Sequence, residues 1–313
     1  MSLSRAGVTN VEKVVRIGLG GAEQLYHAEL SCFVDPGPQR VRTRSLRFDA
    51  VVRDVIGAAV PESGGFAAEQ IAQRMAVEVR QRLNALRAEV TIAARYPEHK
   101  PAPVSGIATQ EIFTLFGTAV ASERGTRRLV GVAAQGMTAA PLAQRLVTDR
   151  ARERLAADGF GDDRIAAILD AVPVATHDQR GLGTLHLGLP EECDREVDAL
   201  ELLAIVENSM SSEIYELMKR SDEGAVVEKA TRRARTAEDC VHAAIRGTLE
   251  GFADLTGDAF VAARQEHTES IHEHTVVAER HGLFGEVRDD GAAHHTTIRE
   301  WLNGAGSSRR REA

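Results

Sequence analysis

The sequence has few cysteines and no long apolar run, and both absences exclude classes of protein. Cys32, Cys193 and Cys240 are the three cysteines among 313 residues, and none of them forms a CxxC pair. A disulfide framework and a thiolate zinc cluster are therefore excluded, and each cysteine is interpreted as a small core residue. No apolar stretch approaches the roughly 20 residues that a helix needs to cross a bilayer, and the start MSLSRAGVTN lacks the apolar segment of a secretion signal. We expect a cytoplasmic protein without membrane contact.

An excess of positive charge is also lacking. The chain carries 46 acidic and 38 basic side chains, for a formal net charge of −8, so it has no general field that would attract nucleic acid. Hydrophobic residues make up 43% and charged residues 27%, which is typical of a folded globular protein. The length suits two modules of about 150 residues each.

The order of predicted elements favours an α+β fold. Strands are predicted at 24–34, 42–48, 88–95, 127–134 and 184–189, and helical spacing predicts helices at 66–86, 112–120, 165–172 and 198–220. Thr236 and Asp239 form the pattern of a capping box that opens a further helix. Residues 259–275 are extended in character, and disorder is expected from Gly304 onward. Both halves share this plan, which favours antiparallel sheets backed by helices.

A glycine-rich segment, GLGGAE at 18–23, loosely matches a dinucleotide-binding loop. The third glycine is missing from the required spacing, and the following strand alternates where a buried parallel strand would be apolar throughout. We interpret the segment as a turn before a hairpin strand.

Histidines are unevenly distributed, since six of the eleven lie between His267 and His295, in a region that is also rich in glutamate. Imidazole and carboxylate are ligands for zinc, iron or manganese and are also general acids and bases. A solvated polar strand with incidental histidines explains the pattern equally well. His177, in a loop between a helix and a strand, and Glu207, in an otherwise apolar helix, are further candidates, although each is also compatible with a structural or exposed position.

Several motifs together resemble one family. They are GMTAAPLAQ at 136–144, VATHDQRG at 174–181, VENSMSSEIYELMKRSDE at 206–223, EKA at 228–230 with Glu238 and Asp239, ESIHEH at 269–274, and VSG with QE at 104–111. In this order, across about residues 24–285, the chain is similar to the archaeal GTP cyclohydrolases and their bacterial type IB relatives.

The resemblance implies a bimodular tunnelling fold, in which two T-fold modules per chain associate with other copies into a barrel. The modules would span 12–155 and 156–290, with a partly disordered tail at 291–313. It also implies a homotetramer with active sites at subunit interfaces, and GTP or a related purine nucleotide as substrate. In this family a divalent metal (Fe, Mn or Zn) activates water for attack on C8 of guanine, which opens the imidazole ring and releases formate.

Site residues are assigned from the same motifs. His177 and Glu207 resemble metal ligands, and Glu269 resembles the carboxylate that anchors the purine edge. The remaining assignments are catalytic roles for His177, Glu223, His272 and His274, with Glu223 as a proton carrier, and substrate contacts for Arg47, Gln179, Arg180, Lys219 and Arg220.

Two departures from the family pattern affect the chemistry. Ala140 and Leu142 stand where the family has the cysteines of a Cys-Pro-Cys motif, and Arg44 stands where the family has a histidine. Losing a thiolate weakens a metal site and shifts its preference toward harder ions, so the metal is expected to be weakly bound or absent. We favour an altered GTP cyclohydrolase-like hydrolase of pterin or specialised metabolism. The alternatives are a regulatory paralogue that assembles with an authentic cyclohydrolase, and a protein that binds purines or pterins without turnover.

Overall fold

A single antiparallel sheet organises the molecule. The computed structural model describes residues 4–19, 21–35, 50–57, 66–190, 193, 195–289 and 295–304. Within them the strands are β1 (Ala6–Leu19), β2 (Ala22–Asp35), β3 (Arg87–Pro101), β4 (Ala108–Ser122), β5 (Gly125–Ala139), β6 (Asp178–Leu189), β7 (Ser212–Glu213), β8 (Phe260–Thr268) and β9 (Thr275–Leu283). The sheet order is β1-β2-β3-β4-β5-β6-β8-β9, and the short β7 pairs with β5.

Helices connect and cover these strands. They are α1 (Ala68–Leu83), α2 (Pro141–Ala157), α3 (Asp162–Ala171), α4 (Ala199–Ser209), α5 (Arg220–Arg232), α6 (Ala237–Gly251), α7 (Phe284–Arg288) and α8 (Ile298–Leu302). Residues 50–57 are also helical. The α+β class with an antiparallel sheet backed by helices is confirmed, whereas the division at residue 155 and the barrel stay predictions.

The main core lies between the sheet and helices α1, α4 and α6. Alternate residues of β3 are buried from Ala88 to Ala94, and α1 presents a buried stripe that includes Ile71, Met75 and Val79, as its amphipathic spacing predicted. Gly117 of β4 permits the close approach of α1, because a Cβ atom there would lie 2.3 Å from the backbone carbonyl carbon of Ala68. Side-chain periodicity thus determined which faces meet.

The turn and cap predictions are confirmed. Gly18 and Leu19 end β1 and Ala22 begins β2, which pair as an antiparallel hairpin, and Gly21 lies in the turn before β2. Thr236 caps α6 by accepting a hydrogen bond from the Asp239 amide at 3.1 Å, and Asp239 accepts one from the Thr236 amide at 2.9 Å. The predicted strands at 24–34, 88–95, 127–134 and 184–189 also form.

The helix predicted at 112–120 is wrong, because this segment is the strand β4. Its apolar residues fit helical spacing, but Phe113, Leu115, Ala119 and Ala121 are the buried residues expected of an alternating strand. β4 lies between β3 and β5 and is paired with both. Backbone pairing with both neighbouring strands decided the conformation, and such pairing cannot be inferred from the spacing of apolar residues within the segment.

Two other elements differ in length from their predictions. The helix predicted at 198–220 ends at Ser209, whose hydroxyl donates to the Val206 carbonyl at 2.6 Å, and the chain then enters β7. Residues 259–275, predicted as extended, form β8 followed by a turn that leads into β9. The strand predicted at 42–48 lies outside the described residues.

Part of the C-terminal segment is ordered by packing. Helix α8 places Trp301, with a fully buried side chain, against Phe260 at 5.6 Å between ring centroids, and the Trp301 indole donates to the Asp258 carbonyl at 3.2 Å. This small cluster is separate from the main core. Residues 305–313 lie outside the described residues, so the disorder expected there stays a prediction.

Candidate active site

The start of β6 and the end of β8 lie side by side. These strands are antiparallel neighbours, with Arg180 opposite Thr268. His177 immediately precedes β6 and Glu269 immediately follows β8, so the topology brings the two side chains to one edge of the sheet. The separation of 92 positions in the chain is closed by strand pairing alone.

We call His177, Gln179, Glu269 and Thr138 the His177 cluster. His177 Nε2 lies 3.7 Å from Glu269 Oε2. The Gln179 amide nitrogen donates to both Glu269 oxygens, at 3.3 and 3.2 Å. Thr138 Oγ1 donates to the Gln179 amide oxygen at 3.2 Å, which orients the amide so that its NH₂ group faces the carboxylate.

The side chains of the cluster differ in their exposure to solvent. Thr138 and Gln179 are buried, whereas the side chains of Glu269 and His177 are 9% and 19% exposed. The carboxylate is held by a neutral amide and a titratable ring. Such a pair has the composition of a general base with its orienting carboxylate.

Ala140 lies directly beside His177. The Ala140 amide donates to the His177 carbonyl at 3.3 Å, and Thr176 Oγ1 donates to the Ala140 carbonyl at 3.2 Å. The position at which the resemblance predicts a thiolate is therefore adjacent to the predicted histidine ligand, but a methyl group offers no donor to a metal.

Glu207 is engaged elsewhere, by a residue that sequence reasoning missed. We call Lys100, Glu111 and Glu207 the Lys100 cluster. Lys100 Nζ lies 2.6 Å from Glu207 Oε1 and 3.2 Å from Glu111 Oε2. All three side chains are about 15% exposed, and no local signal could have found a contact between residues 107 positions apart.

Carboxylates outnumber the ammonium in this region. Burial acts to lower the pKa of Lys100, but the hydrogen bond and charge of Glu207 outweigh it and raise that pKa. Burial also raises the pKa of Glu111 and of Glu98, although Lys100 opposes the shift in both. The neighbouring negative charge of Glu207 adds to both increases. One cation is thus shared among three carboxylates.

A cavity of about 320 Å³ adjoins the Lys100 cluster. Glu207, Glu111 and Tyr215 line it together with Arg180, one of the predicted substrate contacts. The neighbouring Gln179 points to the His177 cluster instead. Gln179 and Arg180, which are consecutive in β6, therefore contribute to two different sites, as expected when neighbouring side chains of a strand point to opposite faces.

The remaining predicted residues are exposed or lie outside the described ranges, and the structure shows no contact of the described ones with His177. His272 and His274 are exposed in the turn before β9, with their rings stacked at 5.1 Å between centroids. Lys219, Arg220 and Glu223 are exposed around the start of α5. Arg47 lies outside the described residues. The roles of these residues stay predictions.

His267, from the histidine-rich region, is a core residue. It is 3% exposed on β8, and burial lowers its pKa against the opposing charges of Glu269 and Glu238. A neutral buried imidazole fits the structural interpretation of that region better than a catalytic one.

Asp222 is a second contact that sequence reasoning missed. Its buried carboxylate accepts the amides of Val104 and Ser105, each at 2.8 Å, the Ser105 hydroxyl at 2.7 Å and the Lys219 amide at 2.9 Å. These bonds, with the Ser105 amide foremost, hold the pKa of Asp222 well below its usual range despite burial. Asp222 thereby ties the β3–β4 loop to the start of α5.

The divalent metal implied by the resemblance does not fit these residues. Glu207 is paired with Lys100, and His177 lies against Glu269. Among the described residues no group of three histidine, cysteine, aspartate or glutamate side chains converges on a point that could hold a metal ion. We therefore derive no chemical step through a metal.

The fold and the His177 cluster define an α+β protein with a base and a carboxylate at the edge of a sheet. Comparison with known proteins identifies the family to which it belongs. A protein-family model described as "Type I GTP cyclohydrolase folE2" matches residues 1–278. The chain belongs to this family. The prediction that it is a member of an enzyme family is confirmed.

Two relatives illustrate the similarity. GTP cyclohydrolase MptA of Methanococcus aeolicus is 33% identical over 297 residues, covering 93% of this chain and 95% of the relative. GTP cyclohydrolase MptA of Haloarcula marismortui is 34% identical over 294 residues, covering 93% and 94%.

Structural comparison supports the fold alone. Uricase from Arthrobacter globiformis matches with a TM-score of 0.56 and 7% identity, covering 94% of this chain and 96% of the uricase. The tunnelling fold predicted from the motifs is confirmed at this level. None of the helices in the described ranges has the length and apolar character that crossing a membrane requires.

Proposed function

We propose that this protein is a hydrolase that acts on GTP or a closely related purine nucleotide, opening the imidazole ring at C8 and releasing formate. The His177 cluster is the observation that carries the proposal, because it joins a base, a carboxylate and an orienting amide at one edge of the sheet. Membership of the GTP cyclohydrolase family supports the substrate class.

The reaction requires two additions of water. In the first, water adds to C8 and the bond from C8 to one ring nitrogen breaks, which leaves a formamide. In the second, water hydrolyses the formamide and releases formate, leaving an amine. Each addition needs a group that takes a proton from water and returns one to the departing nitrogen.

His177 is the residue to which we assign this proton transfer. Its imidazole lies 3.7 Å from the Glu269 carboxylate, so a proton that the ring takes from water would lie next to a negative charge. Glu269 also has acceptor capacity beyond its bonds from Gln179. It can therefore accept N–H groups from the edge of the purine, as the resemblance implies.

A homo-oligomer, with a tetramer expected from the resemblance, belongs to the same proposal. His272, His274, Lys219 and Arg220 are exposed, and none of them hydrogen-bonds to His177 in the part of the chain that the structure describes, which leaves them available to a site completed by another copy. Light scattering coupled to size-exclusion chromatography tests this, and a monomer at assay concentrations would contradict it.

The deciding experiment measures formate. Purified protein is incubated with GTP, GDP, GMP and ATP, each with and without added iron, manganese or zinc, and formate is quantified alongside nucleotide loss and pterin fluorescence. We expect formate in proportion to the guanine nucleotide consumed.

No loss of any of these nucleotides would contradict the proposal. Calorimetry with GTP and neopterin would then separate a binding paralogue from a structural role. The family comparisons give no support to an inactive protein.

A further inference from the structure

The Lys100 cluster has the composition of a cation site that is already filled. Glu207 comes from α4 and Glu111 from β4, and Glu98 lies opposite Glu111 in the β3–β4 register. Carboxylates from three elements line one cavity, and each of them is partly shielded from solvent. The negative charges of these carboxylates repel one another unless a cation lies between them.

Lys100 supplies that cation from within the chain. Its ammonium has three N–H donors, and two carboxylate oxygens lie within 2.6 and 3.2 Å of Nζ. The ring of Tyr215 lies 5.2 Å from Nζ, within the range of a cation–π contact. The main chain at Lys100 is also fixed, because Thr109 Oγ1 donates to its carbonyl at 2.9 Å.

A divalent ion at Glu207 would have to displace this ammonium or lie against its positive charge. Positive charges that close together in a partly buried region repel strongly. The same ion would lack a thiolate partner, since Ala140 occupies that position beside His177. Both the charge and the donor set therefore oppose a metal.

We infer that the Lys100 ammonium takes the place of a divalent metal as the charge partner of Glu207, and that the native chain holds no stoichiometric metal. The inference concerns occupancy of a cation site and does not rest on the proposed function. It also predicts that removing the ammonium raises the affinity of these carboxylates for a hard divalent ion, which prefers oxygen ligands.

The test measures metal without measuring turnover. Wild-type protein, Lys100→Met, Lys100→Arg and the double variant Lys100→Met/Glu207→Gln are purified without chelators or a polyhistidine tag. Iron, manganese and zinc per chain are determined by elemental mass spectrometry, and Mn²⁺ affinity is determined by calorimetry. Circular dichroism checks that each variant is folded, and Lys100→Gln replaces Lys100→Met if the latter does not fold.

We expect the wild type and Lys100→Arg to contain well under one metal ion per chain. The neutral variant should bind Mn²⁺ at least about tenfold more tightly than the wild type, and the double variant should lose that gain. About one metal ion per wild-type chain would overturn the inference. A folded neutral variant that gains no Mn²⁺ affinity would overturn it as well.

Discussion

Two carboxylates that the family resemblance assigns to one site, Glu269 and Glu207, have different partners in this chain. Glu269 accepts two bonds from the neutral amide of Gln179 and lies near the titratable ring of His177. Glu207 lies 2.6 Å from the permanent cation Lys100. Both are largely buried, so the difference is one of charge rather than exposure.

The contrast shows what a buried carboxylate can still do. A carboxylate held by neutral donors keeps its negative charge available for a substrate N–H group or for a protonated imidazole. The negative charge of a carboxylate that is already paired with an ammonium is neutralised within the fold. Under the proposed function Glu269 is therefore the carboxylate that remains available to a substrate, whereas Glu207 is neutralised by Lys100.

The largest effect should come from the reactive side of the comparison. His177→Ala is expected to lower kcat/KM for the nucleotide by about 10²–10⁴-fold, the usual contribution of a general base, with little change in the melting temperature. His242→Ala, an exposed histidine on α6, is the matched control and should retain full activity. If His177→Ala were as active as His242→Ala, His177 would have no catalytic role.

A third buried carboxylate, Asp222, sharpens the comparison because neutral donors alone hold it. Asp222→Asn places an amide donor against groups that are themselves donors. We expect it to lower the melting temperature several times more than Asp239→Asn. Asp239 serves as the control because it occupies the same capping position at the start of α6 but does not tie a distant loop.

Acidification should destabilise the wild type more than it destabilises Asp222→Asn. The pKa of Asp222 is lowered by folding, so its contribution to stability is present above the unfolded value of about 4 and is lost as pH falls below it. The melting temperature of the wild type should therefore fall more steeply below about pH 4 than that of Asp222→Asn. Parallel curves would contradict this assignment.

Glu69, at the opposite end of the sheet, tests what burial does to a carboxylate without a direct ion pair. Burial raises its pKa from 4.5 to about 7, Glu196 adds to the shift, and Arg128 partly offsets it. Because the folded chain binds this proton more tightly than the unfolded chain, stability falls as pH rises from about 4.5 to about 7.

Glu69→Gln should therefore be more stable than the wild type at pH 8, by at most about 3 kcal/mol. The two proteins should converge near pH 4.5. Denaturant unfolding at both pH values measures this, with Glu201→Gln, exposed in the first turn of α4, as the control. A stability difference that does not change with pH would refute the assignment.

The smallest effect is the coupling within the Lys100 cluster. A double-mutant cycle of Lys100→Met and Glu207→Gln should give a coupling energy of about 1–2 kcal/mol, reduced by partial solvent screening. The exposed pair Arg232 and Glu228 should give less than about 0.5 kcal/mol. Coupling no larger than in the exposed pair would mean that Glu207 is not held by Lys100.

Much of the fold could be predicted from local sequence patterns, and the predictions that failed have identifiable physical causes. The alternation in β2 and the amphipathic stripe of α1 predicted their elements because each has one dry face. The segment around Ile112 and Phe116 fits both periods, and pairing with β3 and β5 decided between them. At Ser209 a hydroxyl bond to the Val206 carbonyl accompanies a helix end that apolar spacing did not indicate.

The candidate site divides in the same way. The motifs selected His177, Gln179 and Glu269, which the structure brings together. They also selected Glu207, but the cation that holds it comes from Lys100, in a segment where nothing marks a charged contact. Asp222 stood within a recognised motif, yet its partners Val104 and Ser105 lie more than 100 residues earlier.

By itself, the sequence determined the residue types, the faces of most elements and membership of the family, because these depend on side-chain chemistry and short-range spacing. It also determined that Ala140 cannot bind a metal. Only the tertiary structure decided which charges are neutralised and which remain available. That outcome depends on distances between strands and helices far apart in the chain, since electrostatic energy follows separation in space and burial rather than position in sequence.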